Sequence, residues 1–414
     1  MLPLVKTSTQ SLKDYEKIIS KELFAEIEKT KRGLQGLKVF HLNATPQGGG
    51  VAEILKSLVP LMKGVGIEAS WYTLPPKKSF FEITKKMHNT LQGKKAHFSL
   101  KEKKEYLSYI KNTAKLLKDM RPDIWIVHDP QPAGLVMSFS GCKSLVSRLH
   151  IDFTLADKKV WNFLLDFLKL YDRVIFSSKE FVKKEIKEKS VVFPPAIDPL
   201  TQKNKALPLK EAKELLESFG ICAKKPLISQ VSRFDPWKDP LGVVKVYKIA
   251  KKKIPNLQLA LVGFFLARDD PEANRVYERV KKQTQSDKDI FLFAQPKILK
   301  KTKVDVFVNA VQTASDVVLQ KSLREGFGLT VSEAMWKEKP VIGGNVGGIK
   351  FQIKDKKNGF LVSNFKEAAL RIIQLIENPA FGKKMGKQAK KTVKEKFLIP
   401  RLLLDYLKLF EKLV

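Results

Sequence analysis

Two glutamates, Glu325 and Glu333, bracket the run Gly326-Phe327-Gly328-Leu329-Thr330-Val331-Ser332. A strand-like segment, Asp316 to Gln320, precedes them, and Glu333 lies in a helix-like segment from Val331 to Lys337. Glu325 therefore belongs in a strand-to-helix turn, where Gly326 and Gly328 let the backbone approach a ligand closely. Amides at a helix start attract an anion such as a diphosphate. A carboxylate beside an anion site needs another partner. Sugar hydroxyls are the obvious one, because a carboxylate is a strong acceptor.

Two further constellations sit where strands should end. The stretch Val231 to Lys238 carries Arg233 at a strand end and Lys238 near the next helix start, beyond a turn set by Pro236. Two cations so placed could neutralise a diphosphate and the charge on a departing nucleotide. The plainer alternative is two solvated bases in a very basic chain. Gly48-Gly49-Gly50 precedes a helix expected from about Val51. Glycines there admit a phosphate, although glycine triplets also serve in ordinary turns. His150 ends another strand-like run, and a lone histidine is more often structural.

The elements that must position these residues are legible as apolar runs. They are Lys38–Leu42, Ile124–Val127, Leu145–His150 and Arg173–Ser177, then Leu227–Val231, Leu259–Val262, Val317–Leu319 and Pro340–Ile342. Their alternation with helical segments predicts parallel βαβ units. Pro194, Pro195 and Pro199 interrupt the pattern and mark a stiff connection. The expected domains are 1–198 and 199–395, followed by a terminal helix over 396–414. That helix carries Leu402, Leu403, Tyr406, Leu407, Phe410 and Leu413 at helical spacing. Two doubly wound α/β domains meeting at the carboxyl ends of their strands would form a ligand cleft.

A chain of 414 residues accords with two domains. The best apolar stretch, Leu257 to Ala267, has 11 residues, short of the ~18 needed to span a bilayer, and the N-terminus has no signal-peptide apolar region. Cys142 and Cys222 form neither a disulfide framework nor a zinc pattern, which predicts a reducing cytoplasm and no metal site. The net charge of +34 could serve a polyanion or an anionic membrane. However, only 11 of the 77 basic residues are arginine, the side chain favoured for phosphate and base recognition. The lysines are spread from Lys6 to Lys412, so a solvated surface is expected and no specific nucleic-acid partner. A homodimer is left open.

Taken together, these segments resemble the retaining nucleotide-sugar glycosyltransferases of family 4, which have the GT-B fold. The resemblance rests on Gly48–Ile54, Val127–Pro132, His150–Asp152, Gln230–Lys238, Arg324–Thr330 and Val346–Ile353, and covers nearly the whole chain. Arg-x4-Lys followed by Glu-x7-Glu is specific to that family. The Asp129-Pro130-Gln131-Pro132 and His150-Ile151-Asp152 segments resemble its trehalose-forming branch. The resemblance implies an acceptor-side first domain, a nucleotide-sugar-binding second domain, and a terminal helix returning to the first. It implies no cofactor, a nucleoside diphosphate glucose as donor, and a small sugar as acceptor. It assigns Arg233 and Lys238 to the diphosphate and Glu325 to hydroxyls of the transferred glucose. The backbone of Gly326, Phe327, Gly328, Leu329 and Thr330 would face sugar and phosphates, and Glu333 the ribose. Gly49 and Gly50 would approach the phosphate, His150 the transferred sugar, and Asp129 and Gln131 the acceptor. No protein nucleophile is implied. Rival readings are a trehalose phosphorylase, a family-4 transferase with another acceptor, and a polyanion-binding protein. The segment Phe291–Ile298, where the nucleotide base is expected, shows no preference for uridine or adenine.

Overall fold

The computed structural model describes residues 1–265 and 272–414. Leu266 and Ala267, the end of the apolar stretch noted above, lie outside the described residues. Among the described residues no helix is long and apolar enough to cross a membrane. The chain forms two compact units, passing from the first to the second at Ala196–Ile197 and returning at Leu398–Ile399.

The first unit is built on a seven-stranded sheet. In chain order its strands are β1 (Leu4–Val5), β2 (Lys38–Asn43), β3 (Glu68–Thr73), β4 (Ile124–His128), β5 (Ser144–Leu149), β6 (Arg173–Phe176) and β7 (Ser190–Val192). They lie in the order β1-β3-β2-β4-β5-β6-β7, parallel except for β1, which runs antiparallel to β3. Every residue of β4 is buried, as expected of a parallel strand covered on both faces. The sheet winds outward from β2 to β3, then recrosses to add β4 on the other side. Ligands in such sheets bind at the carboxyl ends of the strands flanking that reversal.

The terminal helix, Ile399–Phe410, packs against the helices Lys21–Thr30 and Gly50–Gly64. It buries Leu402, Leu403, Tyr406, Leu407 and Phe410, the face that the helical spacing predicted. The Ser144 hydroxyl bonds the Leu413 carbonyl at 3.2 Å. The chain thus returns to its first unit.

The second unit has a six-stranded sheet, parallel throughout. Its strands are β8 (Leu227–Val231), β9 (Gln258–Val262), β10 (Ile290–Phe293), β11 (Val317–Gln320), β12 (Val341–Gly344) and β13 (Phe360–Val362), in the order β10-β9-β8-β11-β12-β13. The reversal here falls between β8 and β11. Arg233 and Lys238 follow β8 and Glu325 follows β11, so the sequence-expected groups flank it from both sides.

Candidate active site

In the second unit, the loop after β8 is shaped by Asp235, whose carboxylate caps a short 3-10 turn over Pro236–Lys238. Asp239 then takes a left-handed conformation (φ 50°) and caps the helix Pro240–Lys251. This loop is tied to the one after β11 in three places. Leu323 N donates to Trp237 O at 2.7 Å. Lys321 Nζ reaches Asp239 Oδ2 at 2.6 Å. Lys238 Nζ reaches Glu325 Oε2 at 2.5 Å. Arg233 lies 3.6 Å from the Asp235 carboxylate and remains partly exposed.

The same Glu325 oxygen accepts from Ser322 Oγ at 3.0 Å and from Gln320 Nε2 at 3.4 Å. No hydrogen bond from the described residues reaches Glu325 Oε1. The turn that follows is pinned from behind. Gly348 N donates to Glu325 O at 2.9 Å, and Gln352 Nε2 donates to Phe327 O at 2.5 Å and Gly328 O at 3.3 Å. Gly328 stands at φ +85°, and a Cβ there would meet Glu325 Cγ at 3.1 Å. Its need for glycine is therefore conformational as well as steric. Gly328 precedes the helix Leu329–Trp336, which carries Thr330 in its first turn and Glu333 farther along.

Glu333 is buried, with Gln312 Nε2 at 3.5 Å from Oε2 and Lys203 Nζ at 3.9 Å from Oε1. One turn on, Lys337 Nζ donates to Asn204 Oδ1 at 3.1 Å and to the Glu333 carbonyl at 3.2 Å. Burial pulls its ammonium down to about 7, against the opposing effect of Glu333. Residue types and spacing single out neither Ser322, Gln352, Lys203 nor Lys337. Their roles arise from contacts across the fold, although Gln352 lies inside a segment that resembles the family.

The remaining expected residues lie in the first unit. Gly49 is the N-terminal cap of the helix Gly50–Gly64, with open space where a side chain would stand. Asp129 follows β4 in the left-handed region (φ 66°). Its carboxylate accepts from His150 N at 2.8 Å, so it holds the backbone of His150. Among the described residues, no hydrogen-bond partner reaches the buried Gln131 Oε1. His150 Nε2 lies 3.0 Å from His128 Nδ1. His128 and its neighbour His41 fall inside segments read as strand or as family-like, but residue type and spacing gave neither a site role.

Comparison with known proteins settles the kinship. Residues 41–183 match the model described as trehalose synthase, N-terminal domain. Residues 211–392 match that of glycosyl transferases group 1. The trehalose synthase of Pyrococcus horikoshii is 43% identical over 406 residues, 98% of this chain and 97% of its own. The chain belongs to the trehalose synthase family.

A trehalose synthase family member is a glycosyltransferase of the GT-B type, and the solved structures agree on the fold. A sucrose-phosphate synthase from Thermosynechococcus elongatus superimposes with TM-score 0.69 at 16% identity, over 91% of this chain and 99% of its own. Anabaena HepE in complex with UDP-glucose gives 0.68 at 15%, over 91% and 100%. The trehalose phosphorylase of Grifola frondosa is more distant from this trehalose synthase relative. It is 29% identical over 86% of this chain, which spans 54% of the phosphorylase.

Proposed function

We propose that the protein forms trehalose by moving glucose from a nucleoside diphosphate glucose to free glucose, with retention at the anomeric carbon. The observation that carries this reading is the convergence on Glu325 of Lys238, Ser322 and Gln320. It lies at the strand reversal of the second unit, directly before the helix that bears Glu333. Full-length similarity to trehalose synthases supports the product, and the greater distance of the phosphorylases supports a nucleotide-linked donor over glucose 1-phosphate.

In this reading Arg233 and Lys238 hold the diphosphate and balance the charge that grows on it as the glycosidic bond breaks. Glu325 binds glucose hydroxyls through Oε1, its other oxygen being held by the protein. Amides near Gly328 and Leu329 face the phosphates, and Glu333 takes the ribose hydroxyls. Gly49 and Gly50 approach phosphate from the first unit. His150 binds the transferred sugar, and Gln131 offers its unpartnered oxygen to the acceptor. The bond from C1 to the phosphate oxygen breaks and one from C1 to the acceptor oxygen forms on the same face. The acceptor proton passes to the departing phosphate, and a nucleoside diphosphate is released. Catalysis is positioning and charge stabilisation. The first unit is then the acceptor side and the second the donor side. A cytoplasmic location accords with the two free thiols, Cys142 and Cys222.

The test is product analysis. The protein is incubated with UDP-glucose or ADP-glucose plus glucose, and separately with trehalose plus phosphate. Trehalose from the first mixture alone is expected. Glucose 1-phosphate from the second would make it a phosphorylase, and no product from either would remove the trehalose assignment.

A further inference from the structure

His41, His128 and His150 are three of the five histidines in the chain. They stand on β2, on β4 and just past β5. Their meeting follows from strand register. His41 pairs with Ile126, two residues before His128, and His128 pairs with Arg148, two residues before His150. Each ring is therefore a diagonal same-face neighbour of the next, within reach of a long side chain. His41 Nδ1 lies 3.0 Å from His128 Nε2, and His128 Nδ1 lies 3.0 Å from His150 Nε2. The remaining nitrogen of His41, Nε2, lies 3.4 Å from the Met62 sulphur.

His41 and His128 are almost wholly buried, and His150 keeps some exposure. Burial, reinforced for His128 and His150 by the Arg148 guanidinium, favours the neutral rings. Among the described residues no group of three or more His, Cys, Asp or Glu is arranged to hold a metal. The chain is thus one of hydrogen bonds between neutral imidazoles, each with one donor and one acceptor nitrogen. Its direction is set at one end. A thioether has no proton to give and only accepts, so His41 Nε2 carries the hydrogen. His41 Nδ1 must then accept from His128 Nε2–H, and His128 Nδ1 from His150 Nε2–H. That leaves His150 Nδ1 as a bare lone pair. The reverse order would leave a buried nitrogen lone pair against sulphur with no donor, which is unfavourable.

We infer that Met62, through His41 and His128, fixes the His150 tautomer so that its ring accepts a hydrogen bond from a sugar hydroxyl instead of offering N–H. Met62, His41 and His128 are positioning residues. The hydroxyl partner rests on the reading of His150 given above, whereas the tautomer does not.

The test is nitrogen NMR of the full-length protein labelled at histidine, with signals assigned by their loss in His41→Asn, His128→Asn and His150→Asn. The expected result in the wild type is a protonated Nε2 and an unprotonated Nδ1 at His150. A protonated Nδ1, or protons on both nitrogens, overturns the inference. Met62→Leu conserves volume and removes the acceptor. It should give mixed His150 tautomers and lower the transfer kcat about tenfold, the effect of about 1.4 kcal/mol on the barrier, with donor KM held. A merely structural role would lower the melting temperature without moving the tautomer. An unchanged tautomer, or a changed one with unchanged kcat, overturns the role of Met62. If His150→Asn transfers normally, the sugar contact falls while the tautomer result stands by itself.

Discussion

Lys238 Nζ stands 2.5 Å from Glu325 Oε2, across 87 residues of sequence. The two come from loops on either side of the strand reversal, and their side chains are only 18% and 8% exposed. The cation assigned to phosphate thus also orients the carboxylate assigned to sugar, and each substitution should disturb both contacts.

Lys238→Ala and Glu325→Ala should each lower kcat/KM for transfer by about 10²–10³-fold or more, the scale seen when one charge-stabilising donor is removed. Circular dichroism should show the fold retained. A purified Lys238→Ala protein with normal turnover would rule out its phosphate role.

Gly328→Ala places a Cβ 3.1 Å from Glu325 Cγ at φ +85°. Left-handed backbone alone costs a residue with a Cβ about 1–2 kcal/mol. The urea midpoint should fall, and donor KM should rise as Glu325 is displaced. Unchanged stability and KM would mean that the turn relaxes freely.

Gln352→Ala removes the donor to the Phe327 and Gly328 carbonyls. At about 1 kcal/mol for each such bond, the loss should be modest in stability. It should appear mainly as weaker donor binding, measured by calorimetry with the nucleoside diphosphate.

Burial holds His41 down to about 3 and His128 well below the usual imidazole range. The unfolded chain takes up these protons near pH 6.5, whereas the folded chain resists them. The stability from the neutral rings is therefore complete above about pH 6.5 and is lost as pH falls toward 3. The urea midpoint should decline as pH falls below 6.5, less steeply in His41→Asn, whereas the depressed Lys337 adds a separate rise in stability above about pH 7 that both proteins share. An equal decline in both proteins would contradict the buried neutral state of His41.

Much of the scaffold was legible because parallel strands covered on both faces read as unbroken apolar runs, as Ile124–Val127 does. The strand Glu68–Thr73 escaped because it alternates, burying Ala69, Trp71 and Thr73 between more exposed positions. The terminal helix announced its buried face, but its start at Ile399 was masked by the long basic helix Pro379–Lys396 just before it. At the site, glycines and charges around Glu325 were visible as local spacing. Arg233 and Lys238 could be grouped with Glu325 only by likeness, and the contacts of Glu325 with Lys238, Ser322 and Gln320 needed the fold. His41 sat unremarked inside an apolar run because nothing nearby in sequence identifies a partner that strand register supplies from 87 residues away.

The central claim is transfer from a nucleoside diphosphate glucose with retention. Its most direct test is carbon NMR of the product from UDP-α-glucose, or ADP-α-glucose, labelled at C1, with unlabelled glucose as acceptor. The account predicts label in α,α-trehalose, with its α configuration unchanged. Label in a β linkage, or in no disaccharide with either donor, would contradict it.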